Sequence, residues 1–145
     1  MKTINPSLKF FIDLARIQSV MARRFDGRMG AIHGIGFNDF VILYHLSQAP
    51  GEKLRRIDLA EKIGLTASGV TRMLAPMEKI GLIKREANAQ DARVSYVMLA
   101  PGGKRLLTES LDTAEYLSQE VIPTTGSEKM EELSGLLTEL GRTIL

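Results

Sequence analysis

The chain has no cysteine, which excludes disulfides, thiol redox sensing and cysteine nucleophiles. Histidine occurs only at His33 and His45, and without cysteine that leaves no set of residues for a structural zinc ion. No apolar run reaches membrane-spanning length. Near the N-terminus Phe10-Phe11-Ile12 is interrupted at once by Asp13 and Arg16, so a signal-peptide core is lacking and the cytoplasm is the expected location. There is no Gly-x-Ser-x-Gly motif. Gly64 and Gly69 have the spacing of a phosphate-binding loop, but Val70 stands where that loop needs lysine and no strand is expected before it. His33 sits in a glycine-rich stretch and His45 in an apolar one, and both read as structural. No catalytic residue, metal or cofactor is expected.

What is present is a chain of 145 residues, enough for one domain with a real core. The net charge is only +2 but is unevenly spread. Residues 53–105 hold eleven Lys/Arg against five Asp/Glu, whereas residues 106–145 hold two against eight. A basic middle and an acidic tail imply that the middle faces a polyanion and the tail does not.

The basic middle contains the most informative stretch, LRRIDLAEKIGLTASGVTRMLAPMEKIGLIKRE. Residues 55–63 read as a short amphipathic helix with Leu59, Ala60 and Ile63 on one face. Gly64 follows where a helix ends in a left-handed residue. Leu65 is expected to plug the corner, and Thr66 to cap the next helix, over residues 67–80, by accepting an otherwise orphan N–H. Val70, Met73, Leu74 and Met77 form the inner face of that helix, and Pro76 within it predicts a slight kink near Arg72. Two helices joined by a short glycine-containing turn make a helix-turn-helix. The outer face of the second helix carries Ser68, Gly69, Thr71 and Arg72: short polar groups and one guanidinium, where a recognition helix meets base edges.

Ahead of this unit, Pro6 opens a helix expected to end near Arg28, with a heptad-like seam of Phe10, Leu14, Ile17, Met21 and Phe25. The stretch GAIHGIG over residues 30–36 reads as a loop. Asn38 is expected to cap a helix over 39–48 that largely buries Phe40, Val41, Leu43, Tyr44 and Leu46. After Gly81, residues 82–86 and 94–99 read as paired strands with residues 87–93 as the tip, and a minor strand near Lys53 or Leu54 would complete the sheet. This hairpin is a wing, and Lys84, Arg85, Asn88, Gln90 and Arg93 on it suit phosphates or a minor groove, with Asp91 placed to brace Arg93. A helix from Pro101 to about Val121 and a last helix opened near Ser127, with a stripe of Leu133, Leu136, Leu137, Leu140 and Ile144, complete a mainly α order α-α-α-α-β-β-α-α. The terminal helices carry more apolar surface than one small domain covers, notably Leu8, Phe11, Phe25, Leu136, Leu140 and Ile144, so a homodimer is expected.

That order, with the stretch above followed by DAR…YVMLAPGGKRLL, closely resembles the MarR family of winged-helix transcriptional regulators over essentially the whole chain. The resemblance implies a single winged-helix domain, 1–145. Residues 1–30 and 104–145 would dimerise, 38–100 would bind DNA, the helix-turn-helix would lie at about 55–80 and the wing at 82–99. It implies a homodimer on pseudo-palindromic double-stranded DNA, acting as a repressor released by a small aromatic or anionic ligand. Carried over by position, Ser68, Gly69, Thr71 and Arg72 face bases and phosphates, Arg93 is the wing arginine and Asp91 its brace. Arg55 is expected to reach a phosphate, and Thr66, Lys84 and Gln90 complete the DNA-facing set. Arg16, His33, Tyr44, His45 and Tyr116 lie on elements that border the ligand pocket in that family. One departure is Ala100, which replaces the threonine that often caps the helix opening at Pro101. The competing reading is a winged helix that holds another protein. An apolar outer face would then be expected, and Arg72 and its polar neighbours argue against it.

Overall fold

Asn5 and Pro6 start the longest helix: the Asn5 side chain accepts the Leu8 N–H at 2.8 Å, and Pro6 occupies a first-turn position that needs no donor. The computed structural model describes residues 1–122 and 126–144. Helix α1 (Pro6–His33) runs past the expected end near Arg28 and continues through Gly30 to a left-handed Gly34 cap at φ 71°. Met29, fully buried, ties this extra turn to the core, so tertiary packing outweighs the glycine's poor helix propensity.

Helix α2 (Phe37–Gln48) begins earlier than expected, and Asn38 is not its cap. The orphan N–H groups go instead to two carboxylates: Gly36 N–H to Asp39 at 3.0 Å and Phe37 N–H to Asp26 of α1 at 2.7 Å. Ile42, Leu43 and Leu46 are its buried face, while Tyr44, expected inside, is exposed.

The winged helix follows. Strand β1 (Lys53–Arg55) leads directly into α3 (Arg56–Ile63), and α4 (Ala67–Lys79) follows after the turn. Strands β2 (Ile83–Ala87) and β3 (Ser95–Leu99) form the hairpin. The sheet is antiparallel in the order β1-β3-β2, so the minor strand near Lys53 is present and β3 is central. Leu59, Val70, Leu74 and Val97 are buried together in the main core with α2, so the helix-turn-helix and the wing share one interior.

Helix α5 (Pro101–Val121) starts hard against the wing. A Cβ at Gly103 would stand 2.1 Å from the Leu82 carbonyl oxygen and 3.0 Å from a Leu43 methyl, so only glycine fits. Ala100 offers no side-chain cap; its own N–H instead bonds the Leu82 carbonyl at 3.0 Å and anchors the entry. Ser110 is buried but satisfied, its hydroxyl donating to the Leu106 carbonyl at 2.7 Å. Leu111, placed in no core, is exposed. A 3-10 turn at Ser127–Lys129 precedes α6 (Met130–Ile144), none of whose described residues is buried. The expected break at 123–126 lies, for residues 123–125, outside the described residues.

Candidate nucleic-acid interface

The interface is built on the turn between α3 and α4. Gly64 takes φ 70° and its N–H returns to the end of α3, while Leu65 N–H bonds Ala60 O at 3.0 Å, which fixes the angle between the helices. Leu65 is exposed and plugs nothing: the backbone bonds and the buried Ala60, Val70 and Leu74 hold the corner without it. Thr66 caps α4, its Oγ1 accepting the Gly69 N–H at 3.1 Å. The Ser68 hydroxyl lies 3.2 Å from the same oxygen. A Cβ on Gly69 would come within 3.2 Å of Thr66 Oγ1, so glycine here leaves the cap its room.

Val70, Leu74 and Met77 turn inward and Ser68, Thr71 and Arg72 outward, as the 3.6-residue period requires. The Thr71 hydroxyl donates to Ala67 O at 3.0 Å and receives Nη1 of Arg56, also at 3.0 Å. Arg72 is exposed and makes no ion pair among the described residues. The helix continues through Pro76 to Lys79.

Two other arginines border the same face. Arg55 precedes α3 and is held by Asp58 through a two-pronged pair, Nε–Oδ2 at 2.8 Å and Nη2–Oδ1 at 3.1 Å. This bond to Arg55 holds the Asp58 carboxyl below the usual carboxylate range. At the wing tip, Asp91 accepts the Arg93 backbone N–H at 3.0 Å and its Nε at 3.2 Å, so the brace is formed. That contact lowers the Asp91 pKa, the side-chain bond contributing most. The Arg93 side chain stays 92% exposed and free to meet an anion. Asn88 shapes the tip by accepting the Gln90 N–H at 2.8 Å, which leaves the Gln90 side chain outward and exposed. Arg55, Arg56 and Arg93 line one groove with Ala67 and Ser95, where the start of α3, the start of α4 and the wing meet.

Not every wing cation joins this groove. Lys84 pairs in register with Met98 at the base of the hairpin and lines a separate hollow with Glu52 and Lys104. Arg85 bonds Glu78 of α4 at 3.1 Å and ties the wing to that helix, and Lys53 bonds Glu86 at 3.0 Å between β1 and β2. Arg56 was missed in the sequence, where it reads as one more surface arginine; only the crossing of α3 and α4 brings it to Thr71.

The candidate pocket residues fall in separate places. His33 bonds the Thr113 hydroxyl at 2.8 Å, and Tyr116 bonds Glu120, which also pairs with Arg24 at 2.8 Å, all along the α1–α5 contact. Tyr44 and His45 are ring neighbours on α2, 5.6 Å between centroids. His45 is half-buried, and burial first, then the charge of Lys62, lowers its pKa. Arg16 is exposed on α1.

The MarR family model matches residues 38–95, which run from the start of α2 into β3. Over that segment the chain matches the MarR family. Solved structures align along nearly its full length. The transcriptional regulator BldR from Sulfolobus solfataricus is 28% identical, with 98% of this chain and 99% of that chain covered and a TM-score of 0.83. A mutant MarR from E. coli complexed with operator DNA is 18% identical, with 97% and 99% covered and a TM-score of 0.79. NadR in complex with 4-hydroxyphenylacetate is 24% identical, with 97% and 98% covered and a TM-score of 0.80. The MarR-type fold therefore extends beyond the matched segment to α1, α5 and α6.

Proposed function

We propose that this MarR-family transcriptional regulator binds a pseudo-palindromic DNA site as a homodimer, represses there, and is released by a small aromatic or anionic ligand. The observation that carries the reading is the outer face of α4: an exposed Arg72, without an ion pair among the described residues, beside Thr71 and Ser68 and flanked by the exposed, braced Arg93 of the wing. In this reading α4 enters the major groove, Arg72 reaches guanine O6 and N7, and Arg93 meets the neighbouring minor groove or a phosphate. Arg55 and Lys84 add backbone contacts at either end, and residues 38–100 act as the DNA-binding part.

A homodimer follows from the apolar surface left at the ends of the chain. Leu8, Phe11, Leu133, Leu136 and Leu137 are each more than 40% exposed in a single copy. Residues 1–30 and 104–145 would cover one another across two protomers. The ligand reading is supported by the NadR complex and by the polar residues His33, Tyr116 and Glu120 along the α1–α5 contact. The polar, arginine-bearing face of α4 favours DNA over a protein partner.

Enrichment of duplexes from a random pool tests the reading. The expected result is a site of two inverted half-sites about one helical turn apart. A pool that stays random, with binding equal on all sequences, would overturn it.

A further inference from the structure

The contact between Arg56 and Thr71 carries a consequence for which base Thr71 can read. A hydroxyl has one hydrogen and two lone pairs. The Thr71 hydrogen is committed to Ala67 O at 3.0 Å, and one lone pair is taken by Arg56 Nη1 at 3.0 Å. Arg56 has no carboxylate partner among the described residues, and its Nε is buried without any partner. Its positive charge therefore stands unneutralised beside Thr71 Oγ1. A base amino group, cytosine N4 or adenine N6, would bring its own positive hydrogens to the last lone pair against that charge. Thr71 also has no hydrogen left to give guanine O6 or thymine O4. The two bonds pin χ1 as well, so the side chain cannot turn to change what it offers.

What Thr71 still presents on the outer face of α4 is its methyl group. We infer that Thr71 reads a thymine through methyl–methyl contact, and that Arg56 is the positioning residue that makes it do so. The inference rests on α4 being the recognition helix, as proposed above.

The test uses the full-length protein on its enriched duplex, with each thymine replaced in turn by deoxyuridine, which removes only the C5 methyl. Wild type should lose about fourfold in affinity at one thymine per half-site, the worth of one buried methyl group. Thr71→Ser should bind thymine and deoxyuridine alike at that position. Thr71→Val, whose preferred helical rotamer keeps a carbon where the threonine methyl stands, should retain the penalty. Arg56→Met, checked for a wild-type melting temperature, should reduce the penalty by freeing the hydroxyl.

A wild-type protein that selects a site yet tolerates deoxyuridine everywhere would overturn this inference and leave DNA reading intact. So would a penalty that Thr71→Ser preserves. A protein that selects no site at all would instead overturn the proposed function on which the inference stands.

Discussion

The winged helix and the terminal helices handle their apolar residues in opposite ways. In the winged helix, Leu59, Val70, Leu74 and Val97 are at most 2% exposed, in one interior that closes within the chain. In α6, Leu133, Leu136 and Leu137 stand 45–46% exposed, and Phe11 and Ile12 on α1 are similar. Each region has an apolar stripe at helical spacing, so the stripe alone does not say whether the partner lies in the same chain. The difference lies in neighbours. Residues 37–100 fold back on themselves through the α3–α4 turn and the hairpin. Among the described residues nothing comparable crosses the outer faces of α1 and α6. One region is complete in a single copy, and under the proposal above the other is completed by a second.

The largest effect should come from breaking the second region. Leu133→Ser with Leu136→Ser is expected to abolish the dimer in sedimentation and to cost roughly 1.5–3 kcal/mol per side chain in thermal unfolding. Next is the seam between the regions. Gly103→Val would drive its side chain into the Leu82 carbonyl, and a loss of about 1–3 kcal/mol is expected in denaturant unfolding. Within the winged helix, Thr66→Ala removes the α4 cap and should cost about 1 kcal/mol, with sedimentation unchanged.

The smallest expected effect is a pH dependence at the α2–α3 packing. His45 has its pKa lowered in the folded state, so below about pH 6.5 the unfolded chain takes up a proton that the folded chain resists. Stability should be level above that pH and fall as pH drops toward the lowered folded value. His45→Gln should flatten that segment of a stability–pH curve.

Local features were the legible ones. The Gly64 turn, the Thr66 cap, the inward stripe of α4 and the Asp91–Arg93 brace each depend on residues a few positions apart, and all are present. What the sequence hid depends on contacts between elements. The end of α1 was set by Met29 in the core rather than by Gly30, and the start of α2 by Asp26 reaching across from α1. Tyr44 read as core because α2 is apolar nearly all round, yet the face that packs is the one with Ile42, Leu43 and Leu46. Leu65 also read as interior and is exposed, since no neighbouring element among the described residues covers it. Arg56 was hidden for the same reason: its partner Thr71 belongs to the next helix.

The central claim is a division of labour on one face, in which α4 reads bases and the wing holds the backbone. A salt titration of Arg72→Ala and Arg93→Ala on the enriched site and on a scrambled duplex tests it most directly. Arg72→Ala should lose about 1–3 kcal/mol on the site and far less on the scramble. Arg93→Ala should weaken both duplexes alike and reduce the salt dependence by up to about one counterion per protomer. Equal losses on both duplexes for Arg72→Ala would make it a phosphate clamp and contradict the account.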